Sequence, residues 1–268
     1  MAFTAGIDIG TRMTKTLIYN TDSKEIVAAV IDLTGHNLGA AAQRTFDAAL
    51  AKAGLKAADI GYVATTGYGR YQVEFRNIQI TEISCHSKGA LKLFPKTQSV
   101  LDVGAQNSRA MRVAPNGRVT SFRMNEKCAS GAGRFIERVA GALEIELDQF
   151  GPMSLKAANP QEISSVCAVL AESEVINHVT EGQEIEDILM GANNAVSDRI
   201  VALLRQVKVE PEVTLTGGVA KNAGMVKALE NRLELSLNVS ELSEYAGALG
   251  ACVFASERLA KMGQRVAA

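Results

Sequence analysis

Apolar and polar positions along the chain fall into a pattern that occurs twice. Ala5-Gly6-Ile7-Asp8-Ile9-Gly10-Thr11 is a short apolar run ending in Asp-x-Gly, and Val100-Leu101-Asp102-Val103-Gly104-Ala105 repeats it. Each run is followed by a second strand-like stretch, residues 15–20 after the first and 109–113 after the second. Pro115-Asn116-Gly117 then supplies a turn, so both copies predict a β-hairpin. Downstream, the apolar spacing changes to that of amphipathic helices, over 38–53 behind the first hairpin and over 133–143 and 193–207 behind the second. Residues 60–64 and 212–216 predict further strands, each running into a glycine-rich turn. Strands first, helices after, given twice, predict an α/β fold built from a duplicated unit. With 5 prolines and no Ser/Gly-rich or low-complexity stretch, any boundary between units falls in a short loop.

Composition narrows the function classes. Of 268 residues 47% are hydrophobic and 21% charged, the profile of an ordinary globular protein rather than a disordered or coiled-coil one. With 28 Lys plus Arg against 29 Asp plus Glu, the charge balance argues against a nucleic-acid or polyanion partner. No apolar run approaches the roughly 20 residues of a membrane helix, and the N-terminus lacks a signal-like h-region, so the chain is expected to be cytoplasmic and off the membrane. The four cysteines, Cys85, Cys128, Cys167 and Cys252, lie far apart with no CxxC, which in a reducing compartment calls for an explanation other than disulfides.

Three strand-end loops share one chemistry: Asp8-Ile9-Gly10-Thr11, Asp102-Val103-Gly104-Ala105 and Thr216-Gly217-Gly218-Val219-Ala220. A glycine lets backbone N–H groups close on phosphate oxygens, and an aspartate at a strand end can hold Mg²⁺ directly or through water. The order of these loops resembles the actin, sugar kinase and Hsp70 superfamily of ATPases, whose two lobes, duplicated ribonuclease H-like units, close on ATP. That resemblance implies a first lobe at 1–96 plus the C-terminal helix 246–268, and a second at 97–245. It assigns Asp8, Gly10, Thr11 and Lys15 to the first phosphate loop, Asp102, Gly104 and Gln106 to the second, and Gly217 and Gly218 to the adenosine. Asp8, Asp102 and Gln106 then carry the catalytic work, with Mg²⁺ and ATP as cofactors.

The cysteines divide into two kinds. Cys128-Ala129-Ser130-Gly131-Ala132-Gly133 leads into an amphipathic segment, placing Cys128 just before a helix N-terminus, where backbone amides favour an anionic sulfur or cluster. Cys167 has a similar setting, since Ser164 or Ser165 can cap a helix running to His178. A free cysteine is usually a buried small hydrophobe, and Cys85 and Cys252 are read that way. His36, His86 and His178 are not read as metal ligands. Residues 125–135 around Cys128 and 167–176 from Cys167 onward resemble the BadF/BadG/BcrA/BcrD-type ATPase family, shared by activators of 2-hydroxyacyl-CoA dehydratases and the ATP-binding subunits of benzoyl-CoA reductase. The resemblance covers nearly the whole chain, including Ala64-Thr65-Thr66-Gly67-Tyr68-Gly69 and Tyr245-Ala246-Gly247-Ala248-Leu249-Gly250-Ala251. It implies one [4Fe-4S] cluster bridged between two subunits, with Cys128 and Cys167 as this chain's ligands.

One departure sets a direction. Dehydratase activators resemble one another in a second loop reading Asp-Ile-Gly-Gly-Gln-Asp, whereas this chain has Asp102-Val103-Gly104-Ala105-Gln106-Asn107. The small, D-type subunit of benzoyl-CoA reductase also departs there and shares the Ser164–Glu172 stretch. The resemblance therefore implies an ATP-driven subunit that passes low-potential electrons to catalytic acyl-CoA reductase subunits, paired with a related ATPase subunit and fed by a ferredoxin or flavodoxin. A homodimeric dehydratase activator is the alternative. A small-molecule kinase of the same fold and an actin-like nucleotide-gated assembly protein stand behind it, and both leave Cys128 and Cys167 without a role.

Overall fold

A computed structural model describes residues 2–125, 133–164 and 168–266. The chain forms two compact units: Met1–Pro95, Pro115–Val119 and Tyr245–Ala268 make up unit 1, and Lys96–Ala114 with Thr120–Glu244 make up unit 2.

In unit 1 a five-stranded sheet runs in the order β3 (Glu25–Leu33), β2 (Met13–Asn20), β1 (Phe3–Ile9), β4 (Ile60–Thr66), β5 (Ile78–Gln79). The first three strands form an antiparallel meander, while β4 is parallel to β1 and β5 to β4. Alternation along β1 decides what covers each face. Ala5, Ile7 and Ile9 join Phe46 and Ala49 of α1 (Leu38–Ala53) in one buried cluster. Thr4, Gly6 and Asp8 project from the other face, where α2 (Glu82–Leu93) and α8 (Ala246–Val266) pack. Gly6 is required there, because a Cβ would lie 2.7 Å from the Cys252 backbone nitrogen. Helix α1 begins where Asn37 accepts a hydrogen bond from Ala40 N (3.0 Å) and stops at Gly54, whose φ of +67° closes the C-terminal turn.

Unit 2 repeats the plan. Its sheet runs β8 (Val119–Met124), β7 (Ser108–Val113), β6 (Ser99–Val103), β9 (Val213–Thr216), β10 (Leu237–Asn238), so third, second, first, fourth and fifth strands take the same places as in unit 1. β6 is antiparallel to β7 and parallel to β9. Leu101 and Val103 of β6 pack with Phe135 of α3 (Gly133–Ala142), Phe150 of α4 (Leu147–Ser154), Val175 of α5 (Ala168–Thr180), Leu189 and Val196 of α6 (Ile185–Gln206) and Met225 of α7 (Ala223–Leu233). This is the two-lobed α/β fold with duplicated ribonuclease H-like units.

The strands and helices expected from the pattern are present, with boundaries shifted by one or two residues and one larger difference in extent. Helix α6 starts at Ile185, ahead of the position 193 where the spacing placed it. Gly191, Asn193 and Asn194 interrupt the apolar periodicity near that start. Inside the fold Gly191 is demanded by the Gln161 carbonyl that abuts it, and Asn193 is buried because it donates to Ser154 Oγ (3.0 Å). Among the described residues no helix is long and apolar enough to cross a membrane.

Candidate functional site

Asp8, the penultimate residue of β1, is 5% exposed. Sheet register sets it opposite Lys15 on β2 and Thr66 on β4. Lys15 Nζ lies 3.6 Å from Asp8 Oδ2. The β1–β2 turn is closed by Gly10 N donating to Met13 O (3.1 Å), with Thr11 half-buried at its tip. A Cβ on Gly10 would lie 2.8 Å from that same carbonyl, which is the reason for glycine here. The turn is braced by Thr34 at the end of β3, whose N donates to Arg12 O (2.8 Å) and whose Oγ1 donates to Gly10 O (2.9 Å). After β4 the chain turns at Gly67 (φ +87°), packed so closely that a Cβ would sit 2.6 Å from Asp8 Oδ1.

Unit 2 repeats this backbone arrangement. Asp102 on β6 is 2% exposed and faces Arg109 on β7 and Thr216 on β9. Gly104 N donates to Asn107 O (2.9 Å), the same turn closure as Gly10 to Met13. Gly217 (φ +89°) follows β9 as Gly67 follows β4, and its Cβ would meet Asp102 Oδ1 at 2.8 Å. Gly218 opens a 3₁₀ turn, Gly218–Lys221, leading into α7, where Asn222 caps by accepting from Met225 N (3.0 Å). Gln106 is exposed at the tip of the β6–β7 turn and Asn107 is half-buried.

Register pairing brings together Asp8 with Lys15 in one unit and Asp102 with Gly104 and the Gly217 turn in the other. It also adds a residue the motifs did not single out. Arg109 Nη1 donates to Asp102 Oδ2 at 2.7 Å, in the place Lys15 holds in unit 1. The signal was in the sequence, since Lys15 and Arg109 each follow their aspartate at the same spacing, but only sheet register turns that spacing into a contact.

Cys128 and Cys167 lie outside the described residues. The flanks of the first segment are described, and both tie to the β6–β7 turn. Asn125, before it, accepts from Ser108 N (2.7 Å) through Oδ1 and donates from Nδ2 to Gln106 O (3.4 Å). After it, Gly133 N donates to Gly104 O (2.8 Å) and Arg134 N to Ala105 O (2.7 Å). The helix following Cys167 is α5, bridged to α3 by Arg138 and Glu172 (3.8 Å). The other two cysteines are fully buried in unit 1, where burial pushes the Cys85 thiol up to about 12 and raises that of Cys252 as well. Among the described residues no three His, Cys, Asp or Glu side chains gather as a metal site.

Residues 5–255 match the BadF/BadG/BcrA/BcrD ATPase family. The chain belongs to it. Its relatives in the family include an activator of lactoyl-CoA dehydratase from Anaerotignum propionicum, 40% identical over 97% of this chain and 99% of that one. The D-type subunit of benzoyl-CoA reductase from Thauera aromatica is 38% identical over 99% and 98%. The activator of 2-hydroxyisocaproyl-CoA dehydratase from Clostridium difficile with bound ADPNP superposes with a TM-score of 0.94 at 35% identity, covering 98% of this chain and 97% of that one. These relatives are named as parts of acyl-CoA dehydratase or reductase systems.

Proposed function

We propose that this chain hydrolyses ATP to drive low-potential electrons into a catalytic acyl-CoA partner, as the ATP-binding subunit of a benzoyl-CoA reductase-like system. The observation that carries the reading is the double attachment of the Cys128 segment to the second phosphate turn, through Asn125 on one side and Gly133 and Arg134 on the other. Any shift of that turn on gaining or losing a phosphate is passed by these hydrogen bonds to both ends of the segment. In the proposed roles Asp8 and Asp102 manage Mg²⁺ and phosphate, Lys15 and the Gly10 and Gly104 turns hold the phosphate oxygens, and Gly217 and Gly218 meet the adenosine. Gln106, exposed at the turn tip, orients the water that attacks the γ-phosphorus as the bond to the ADP oxygen breaks. Nucleotide drives the change only to the extent that it binds one arrangement of the turn better than another.

Cys128 and Cys167 supply two thiolates, half the set a [4Fe-4S] cluster takes, and the buried Cys85 and Cys252 of unit 1 are not available to complete it. A second subunit therefore gives the other pair. Such a cluster supplies one-electron transfer from a range reaching roughly −700 mV. Ala105 and Asn107 stand where dehydratase activators have glycine and aspartate, which favours the reductase subunit, with a related ATPase subunit as partner. The 40% identity to a lactoyl-CoA dehydratase activator supports the second reading, a homodimeric activator.

Anoxic purification of the chain alone and with the products of its neighbouring genes, followed by iron, sulfide and subunit stoichiometry, separates these. Iron appearing only with a second ATPase subunit is the expected outcome. One cluster per homodimer selects the activator, and no iron in either preparation returns the chain to a kinase of this fold.

A further inference from the structure

We propose that His86 is a positioning residue for Asp8, its imidazole fixing one oxygen of the carboxylate in the first phosphate loop; the proposal rests on the ATPase reading above. Alternation along β1 turns Asp8 away from α1 and toward α2 and α8, the face that Gly6 and Thr4 also address. His86 arrives there from α2 and is 4% exposed, as secluded as Asp8 itself. The two side chains converge on one point in the first turn of α8. A Cβ added to Gly247 would lie 2.8 Å from His86 Nε2 and 2.9 Å from Asp8 Oδ2. The absence of a side chain at Gly247 is what lets the imidazole and the carboxylate approach each other. The Cys85 thiol, one residue before His86, senses the same charge: burial raises it most, and the negative charges of Asp8 and Glu82 add to the rise.

Asp8 Oδ2 has Lys15 Nζ at 3.6 Å from β2 and borders the same Gly247 position as the imidazole from α2, while Oδ1 is packed under Gly67. A ring nitrogen carrying hydrogen donates to a carboxylate whether the imidazole is neutral or charged, so the interaction does not depend on a protonation step. Holding a phosphate-loop carboxylate in this way preorganises it for Mg²⁺ and nucleotide, and loss of such a supporting partner commonly costs 10–100-fold in affinity or activity, by order of magnitude. In unit 2 the corresponding oxygen, Asp102 Oδ2, accepts from Arg109 Nη1 at 2.7 Å.

The test is MgADP affinity by calorimetry together with ATP turnover, on the full chain carrying His86→Ala, His86→Gln, Asp8→Asn and His86→Ala with Asp8→Asn. His86→Ala is expected to weaken MgADP binding about 10-fold, and His86→Gln, whose amide can donate from a similar place, to recover to within about 3-fold of wild type. In the Asp8→Asn background His86→Ala adds nothing. A His86→Ala protein that binds and turns over like wild type overturns the proposal, as does a full His86 effect persisting without the Asp8 carboxylate. Should His86→Ala fail to fold, Gly247→Ala drives a methyl between the two groups. Weakened binding that vanishes with Asp8→Asn then supports the proposal, and wild-type binding overturns it. A wild-type chain that binds no MgADP sinks the ATPase reading itself, which is a different result from normal wild-type binding with an inert His86.

Discussion

The two strand-end aspartates occupy the same position in the same sheet order, yet their surroundings have diverged. Asp102 is held at 2.7 Å by the Arg109 guanidinium, and the turn beyond it is hydrogen-bonded to both flanks of the Cys128 segment. Asp8 has a lysine at 3.6 Å and lies among the helices α2 and α8, next to His86. The loops that follow the parallel strands differ too: Tyr68 and Tyr71 after β4 are more than half exposed, whereas Val219 and Ala220 after β9 are buried. Duplication has kept the backbone geometry and let the side chains specialise. One copy is clamped by a guanidinium and wired to the cysteine segment, and the other is paired over a longer distance with the compact point charge of a lysine.

The largest expected effect tests the clamp. Removing Arg109 takes from Asp102, 2% exposed, the guanidinium that donates to it at 2.7 Å, and breaking a buried pair from one side costs about 3–5 kcal/mol. Arg109→Ala should lose that much in urea unfolding. Lys15→Ala, which breaks a longer contact and leaves Asp8 beside His86, should lose about 1–2 kcal/mol and be felt chiefly in ATP affinity. Equal stability losses from the two variants would erase the distinction between the copies.

The next prediction concerns what the copies share. Gly67 and Gly217 have φ of +87° and +89°, and each lies with its Cβ position against the carboxylate of its own aspartate. Gly67→Ala and Gly217→Ala should each cost about 1–3 kcal/mol, by nearly the same amount, because the strain is the same in both units. A Gly67→Ala protein as stable as wild type would mean that the unit 1 turn is relaxed and that the likeness ends at the sheet.

Much of this was legible in the chain because it is local. Alternation announced β1 and β6, Asp-x-Gly marked where they end, and the spacing over 38–53 gave α1 its full extent. What escaped the sequence depends on tertiary neighbours. Arg109 looked like one more charged residue on a strand until register set it opposite Asp102. His86 carried no sign of a role beyond not being read as a metal ligand, since nothing in the sequence tells that Gly247, far along the chain, leaves room beside both it and Asp8. The first turns of α6 were not legible because the partners of Gly191 and Asn193, Gln161 and Ser154, come from elsewhere in unit 2. Local rules fix elements, while the site is assembled by packing between them.

The smallest expected effect bears on Ala105, where the second turn departs from the glycine of dehydratase activators. Among the described residues the non-glycine positions with positive φ are Lys24, Glu144, Lys208 and Glu234, so Ala105 sits in an ordinary backbone conformation and its methyl imposes no strain. Ala105→Gly should therefore gain nothing in the folded state and lose about 0.4–1 kcal/mol through the looser unfolded chain. If the methyl stands where phosphate approaches, the same change should lower the KM for ATP by up to about 10-fold, a free-energy difference of about 1.4 kcal/mol. Stability falling while nucleotide affinity rises is the signature of a side chain kept at the expense of binding, as befits a turn that also anchors α3 through Arg134 N and the Ala105 carbonyl. Affinity falling together with stability would instead show that the methyl supports the turn, and that the division between a clamped and an open copy reaches the phosphate contact itself.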